Sequence, residues 1–171
     1  MADDNPLAAV FYEAQISLAK HKRAAERMRA IQRSMPMPTF FSHLWCNVAL
    51  LLRVYKREPA AERLVEFLVS YVTRSADDVE SMQQEDLVNA LCLRLLTYST
   101  AKDKAIRFRV SQIVARVMNS LPEDAEVSDE LFEAIESTMV QRCRDKVPVV
   151  RAWATRALFR LQDPSTVDDP I

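Results

Sequence analysis

The chain has no glycine in 171 residues, where average usage would place about a dozen. Glycine supplies positive backbone φ, tight phosphate-binding loops and the commonest residue after a helix C-terminus. Its absence therefore excludes the Walker loop, the dinucleotide fingerprint and the nucleophile elbow together. Turns must be built from Ser, Asp, Asn and Pro. Cysteine is sparse as well: Cys46, Cys92 and Cys143 stand far apart with no C-x-x-C pair, so neither a zinc spacing nor a redox motif is present. Each falls on or beside an apolar helical stripe, which predicts three buried thiols. The two histidines, His21 and His43, lack a ligand-spaced companion. No Ser/His/Asp or Cys/His set offers a nucleophile, and the carboxylates come in solvated runs rather than as an isolated pair. The expectation is a chain that is not an enzyme, needs no cofactor, holds no metal and has no small-molecule substrate. No run of about 18 apolar residues exists, and the opening MADDNP is acidic rather than signal-like. These features predict an intracellular location and no membrane contact.

What is present is helical periodicity. With 49% apolar and 27% charged residues the chain can build a sizeable core. From Pro6 to about Ser34 the apolar positions are Val10, Phe11, Ala14, Leu18, Ala25, Met28 and Ile31, with a break near Lys20 or His21. The string Met35-Pro36-Met37-Pro38 stops this segment, and Thr39 is the predicted cap of a helix buried through Phe41, Leu44, Trp45, Val48, Leu51, Leu52 and Tyr55. Pro59 opens the next helix. Residues 75–86, rich in acids, read as a loop before a helix packing through Val88, Leu91, Cys92, Leu95 and Leu96. A further helix shows Ile106, Val110, Ile113, Val114 and Val117. Ser128 caps another, with Phe132, Ile135, Met139, Val140 and Cys143 expected on its buried face. Pro148 starts the last, whose stripe is Val150, Ala154, Ala157, Leu158 and Leu161. No strand signal survives, so the fold class is all-α with about eight helices.

The helices recur. A shift of 44 lays Ile106, Arg107, Val110, Ile113, Val114 and Val117 over Val150, Arg151, Ala154, Ala157, Leu158 and Leu161, and a shift of 42 lays Leu64, Leu68, Tyr71 and Val72 over Ile106, Val110, Ile113 and Val114. Periods of about 40–47 are those of HEAT and armadillo arrays. Asp103 and Asp145 each precede an arginine by six residues, Arg109 and Arg151, which argues for a shift of 42 where the stripe argues for 44. The stripe decides, because several buried apolar side chains at roughly 1.5–3 kcal/mol each outweigh one exposed ion pair of roughly 0–1. Asp103, Arg107, Asp145 and Arg151 are then the structural ladder of the repeat, with Arg151 pairing to an Asp of its own or a neighbouring unit. The predicted architecture is an α-solenoid of HEAT-type hairpins. Residues 36–171 supply about three of them, and residues 1–35 form a divergent helical segment.

Three strings go beyond a generic repeat: VYKREPAAERLVEF (residues 54–67), AIRFRVSQIV (105–114) and RDKVPVVRAWATRALFRLQDP (144–164). Together they resemble the N-terminal region of the condensin subunit 3, or chromosome-associated protein G, family. The match is spread over most of the chain, with residues 1–35 and the acidic stretch at 75–86 matching only loosely. The resemblance implies a non-catalytic HEAT solenoid that binds the kleisin subunit of condensin and, through it, the SMC ATPase subunits. It implies a groove holding double-stranded DNA without sequence preference during mitotic chromosome condensation, and residence in the nucleus and on chromosomes with a cytoplasmic pool.

Net charge is only −1, but charge is segregated. Basic blocks fall at 20–33, 56–63, 102–109 and 142–160, and acids concentrate at 77–86 and 123–136, as suits a rod with a basic and an acidic edge. The candidate phosphate contacts are Lys56 and Arg57, then Lys102 and Lys104 one repeat later, with Lys22 and Arg23 in the first block. Phosphate contact reads no base sequence. The competing reading of each residue is a solvated helix face, and of the whole chain a protein-binding scaffold with no DNA contact. Trp45 and Trp153 lie on stripes or their borders and are expected to pack rather than stack on bases.

Overall fold

The computed structural model of the chain describes residues 5–55, 58–74, 78–122, 125 and 127–161, and the backbone alone for residues 78–84. Among these residues there are eight α-helices: α1 (Ala8–Ile16), α2 (His21–Arg33), α3 (Met37–Leu52), α4 (Pro59–Thr73), α5 (Asp78–Leu96), α6 (Lys104–Ser120), α7 (Asp129–Arg142) and α8 (Pro148–Phe159). A single 3-10 turn over Leu18–Lys20 breaks α1 from α2. There Ser17 is extended and its hydroxyl accepts from the Ala19 amide.

Each start has a local cause. Pro59 and Pro148 occupy first-turn positions, where a missing N–H costs nothing. The Ser128 hydroxyl accepts from the Leu131 amide and the Asp103 carboxylate from the Ala105 amide. Two boundaries differ from expectation. The third helix begins at Met37, not after Thr39, because Pro36 leads into it and Pro38 sits within its first turn. The acidic stretch is helical from Asp78, since carboxylates near a helix N-terminus are favourable.

The helices stack in two rows. One runs α1, α4, α6, α8; the other carries α3, α5 and α7, with α2 against α3 and α4. α6 is the centre: from Ala105 to Met118 every residue but Ile106 and Arg116 is buried, because α4 and α8 flank it and α3 and α5 back it. The outer helices bury less. In α7 only Leu131, Ile135 and Met139 are fully covered, and Phe132 and Val140, expected inside, are 39% and 47% exposed. A helix covered on one side has room for a narrow i, i+4, i+8 stripe only. Cys46 is likewise exposed and Cys143 half-buried; Cys92 alone is buried, where desolvation pushes its thiol up to about 12.

Antiparallel pairing sorts the connections onto two edges. On one, Arg63 Nε near the start of α4 donates to the Gln15 carbonyl at the end of α1 (2.5 Å), Arg109 of α6 reaches Val54 and Tyr55, and Arg107 reaches Asp145. That edge therefore gathers the α1–α2, α3–α4, α5–α6 and α7–α8 connections. On the other, Tyr71 Oη donates to Gln32, Arg29 to the Arg74 carbonyl, and Arg160 to the Leu121 and Pro122 carbonyls.

Candidate nucleic-acid interface

The edge of the α1–α2, α3–α4, α5–α6 and α7–α8 connections is the cationic one. Lys20, Lys22, Arg23, Arg53, Lys102, Lys104, Arg144 and Lys146 all lie there and are exposed. Glu58 and Asp103 are the exposed carboxylates among the described residues of these connections, and both serve as caps, accepting from Ala60 and Ala105 amides. The opposite edge is mixed rather than acidic: Glu85, Asp86, Asp129 and Glu130 share it with exposed Arg33, Arg74 and Arg160. Charge segregation is thus one-sided.

Two arginines of α6 hold the edge together: Arg107, expected in the structural ladder as well as in a basic block, and Arg109, expected in the basic block alone. Residues two apart on a helix face nearly opposite ways, so Arg107 and Arg109 reach different neighbours. Arg109 is fully buried. It turns back to the preceding hairpin, donating to the Val54 carbonyl (2.6 Å), the Tyr55 carbonyl (3.2 Å), Glu62 (2.6 Å) and Gln112 (2.7 Å). Arg107 turns forward, donating from Nε and Nη2 to the two oxygens of Asp145 at 2.8 and 3.3 Å, and from Nη1 to the Ala101 and Lys102 carbonyls. Such planar forks are what arginine, and not lysine, can supply.

Asp145 is the hub of the last connection. Its carboxylate also takes Arg142 Nη1 (3.1 Å) and the Val147 amide (2.9 Å). Burial works to raise its pKa, but the hydrogen bonds from Arg107 and the Val147 amide, with the charges of Arg107 and Arg142, outweigh that and hold it below the ordinary carboxylate range. The same hydrogen bond to Asp145 raises the Arg107 pKa. Arg151 goes to the Asp145 main-chain carbonyl (2.9 Å), not to its carboxylate, which Arg107 and Arg142 occupy.

These contacts explain the two registers. Arg107 and Arg151 each donate Nη1 to the carbonyl six residues earlier, Ala101 and Asp145, so the arginines repeat at 44. Asp103 and Asp145 each accept from the amide two residues on, so the aspartates repeat at 42. Both registers hold, because Asp145 stands two places earlier before its helix and from there reaches back to Arg107. From α4 to α6 the capping acids Glu58 and Asp103 recur at 45. A stripe cannot separate this from the expected 42, because three residues are nearly one helical turn.

Of the candidate phosphate contacts, Lys56 and Arg57 lie outside the described residues, between Tyr55 and Glu58 of this edge. Lys104 Nζ sits 5.1 Å from the centroid of the Tyr55 ring, which packs edge-on against Phe108. It is therefore brought to the α3–α4 connection. Lys102 is exposed beside it, and its carbonyl is taken by Arg107. Lys22 is exposed at the α1–α2 connection, whereas Arg23, also exposed, is turned toward Glu13 at 3.8 Å, alongside Arg27 at 2.6 Å. Trp45 is half-buried against Tyr98 with Arg94 over its ring, and Trp153 carries Arg156 at 4.7 Å; both pack between helices or against their own.

Hairpins in two rows, tied by forked arginines and lined along one edge by cations, define a HEAT-type α-solenoid, a scaffold with a long charged edge. Comparison with known proteins narrows this. The chain is 36% identical over 159 residues to human condensin complex subunit 3, covering 88% of this chain and 16% of that protein. It is 41% identical over 125 residues to the Xenopus laevis protein of the same name, covering 70% and 12%. The crystal structure of the Schizosaccharomyces pombe condensin Cnd3–Cnd2 subcomplex contains a chain that superposes with a TM-score of 0.80 at 28% identity, over 92% of this chain and 20% of that one. No family model matches the chain. The chain belongs to the condensin complex subunit 3 family, and spans less than a fifth of the length of these curated relatives.

Proposed function

We propose that the chain is part of a non-catalytic HEAT subunit of condensin that binds the kleisin subunit and, on its basic edge, helps hold double-stranded DNA during mitotic chromosome condensation. The observation that carries the DNA half is the gathering of exposed Lys22, Lys102, Lys104, Arg144 and Lys146 on one edge, with Lys104 held at the α3–α4 connection by Tyr55. Lys56 and Arg57, which follow Tyr55 in sequence, belong to the same proposed set of phosphate contacts. Such an edge neutralises phosphates, and phosphate contact by itself reads no bases. Residues 36–171 act as about three HEAT-like hairpins and residues 1–35 as a divergent helical segment. Through the kleisin, the subunit stands beside the SMC ATPase subunits, which supply the hydrolysis. This reading places the chain on chromosomes in the nucleus, with a cytoplasmic pool.

Titration of the kleisin-bound complex with duplex DNA at rising salt tests this. Each phosphate neutralised adds about 0.9 to the slope of log affinity against log salt. Lys56→Glu with Arg57→Glu lowers both affinity and slope if the assignment holds, and leaves both unchanged if that pair touches no DNA.

One observation favours a protein partner as well. A groove of about 390 Å³ lies between α1, α3 and α4, walled by Phe11, Leu51 and Leu64, with Tyr12 and Leu50 two-thirds exposed at its rim. Apolar surface of this kind suits a kleisin segment better than a phosphate backbone. In the scaffold-only alternative this groove is used and the basic edge is not.

A further inference from the structure

Four hydroxyl-bearing residues follow one another in the α5–α6 connection: Thr97, Tyr98, Ser99 and Thr100. They do not share an environment. Ser99 is 5% exposed. Thr97 is exposed, but its hydroxyl donates to the Arg94 carbonyl (2.8 Å) at the end of α5, and Tyr98 packs its ring on Trp45. Thr100 is exposed and lines a cleft of about 440 Å³ between this connection and the α7–α8 connection. Lys102, Arg107, Arg142, Arg144 and Lys146 line the same cleft, with Asp145 as its one carboxylate. Asp145 is already filled, since its two oxygens receive Arg107 twice, Arg142 and the Val147 amide. Acceptors run so short that Arg142 Nε is buried without one, and no acceptor among the described residues holds the exposed Lys102, Arg144 and Lys146. The cleft thus combines surplus cations with one exposed hydroxyl, and what would balance it is a compact group with several anionic oxygens.

We propose that Thr100 is a phosphorylation site whose phosphate seats in this cleft and staples the α5–α6 connection to Arg144 and Lys146 of the α7–α8 connection. A protein kinase supplies the group from ATP: the bond from Thr100 Oγ to the γ-phosphorus forms, the bond from that phosphorus to ADP breaks, and the hydroxyl proton passes to the kinase's base. Phosphothreonine carries a charge of about −1.5 to −2 at pH 7 and presents three strong acceptor oxygens. Arg144 meets them with a planar fork, Lys102 and Lys146 with point charges. The partners are already assembled. Arg107 Nη1 donates to the Ala101 and Lys102 carbonyls (2.8 and 2.9 Å) while its Nε holds Asp145 (2.8 Å), so one guanidinium fixes the backbone after Thr100 and the start of the α7–α8 connection together. A phosphate on Thr100 therefore arises beside its cations, with no second molecule to be captured. Two changes follow at once: the two connections are joined, and the positive charge of this part of the edge falls. That the lost charge weakens DNA binding rests on the DNA reading given above; the seat in the cleft does not.

Two measurements test this. In the kleisin-bound complex isolated from dividing cells with phosphatases inhibited, trypsin releases residues 95–102, and fragment-ion mass spectrometry should place phosphate on Thr100. No phosphate on this peptide, or phosphate on Thr97 or Ser99 alone, would overturn the assignment. For the seat, phosphothreonine is installed at position 100 of the full chain and phosphorus NMR follows its second ionisation. Among these cations the dianion is favoured, so the pKa should fall from its ordinary value of about 6 to about 5 or below. The melting temperature at low salt should rise by about 2–4 °C over the unmodified chain. In the background of Arg144→Gln/Lys146→Gln, both at exposed positions, the pKa should return to about 6 and the gain in melting temperature should vanish. A phosphate that titrates at about 6 in both proteins, with no gain in melting temperature, points into solvent and overturns the seat. Neither measurement contains DNA, so failure here leaves the DNA reading standing, and failure of that reading leaves the phosphate in its cleft.

Discussion

Asp145 is the residue on which most of the geometry turns. It is 7% exposed, and its partner Arg107 is 5% exposed. Removing one member of such a pair strands the other charge, at about 3–5 kcal/mol. Asp145→Ala should therefore lower the unfolding free energy by that amount in a denaturant titration, a large share of the roughly 5–15 kcal/mol a domain commands. The pH dependence has a definite sign. The folded-state pKa lies below the unfolded one, so the bridge contributes fully above the unfolded value near 3.9 and is lost as pH falls through the folded value. Comparing the parent with Asp145→Asn, the stability gap should be flat from pH 7 to about 5 and close below about 4. A gap that persists unchanged at pH 2 would mean the carboxylate is not acting through its charge. The cysteines give an independent check on burial. At pH 8 a maleimide should label Cys46 in the folded chain and leave Cys92 untouched until denaturant is added, because burial holds that thiol neutral.

At the scale of the element, α6 shows what the linear pattern carries and what it hides. Its stripe of Ile106, Val110, Ile113, Val114 and Val117 is legible, as are the proline starts of α4 and α8 and the Ser128 cap, because each depends on neighbours along the chain. The burial of Arg109 is not legible, whereas the place of Arg107 in the repeat ladder marks it as structural. A charged residue in a basic run reads as solvated until the carbonyls of another hairpin are known to surround it. The signal was there in one respect: two arginines flanking Phe108 inside an otherwise apolar helix have nowhere to go but onto partners. The same limit explains Phe132 and Val140, whose exposure follows from what does not pack on α7. It explains the acidic start of α5 too, since a low apolar content resembles a loop when the dipole is left out of account. For α6 the testable consequence is that Arg109→Lys fails to substitute. One ammonium cannot span the Val54 and Tyr55 carbonyls together with Glu62 and Gln112. Leaving buried acceptors unpaired should cost about 1–3 kcal/mol, read by chemical denaturation.

Across the whole molecule, alternating hairpins bring part of each basic block to one edge, while Arg33 and Arg160 go to the other. The blocks and their spacing are visible in the sequence. Which of their members face solvent is decided by the tertiary fold, which turns Arg107, Arg109 and Arg142 inward and leaves Lys102, Lys104, Arg144 and Lys146 outside. Rows of helices that each touch only their neighbours are stable as a sum of local interfaces, so a substitution at this edge should alter charge without unfolding distant hairpins. The central claim is that DNA lies along this edge and not along the opposite one. Site-specific photocrosslinking addresses it most directly, with a photoreactive residue placed at position 102 or at position 130 in the kleisin-bound complex carrying duplex DNA. Position 102 should crosslink to DNA, with a yield that falls as salt rises, and position 130 should not. Equal yields from both positions, or DNA adducts at 130 alone, would contradict the account.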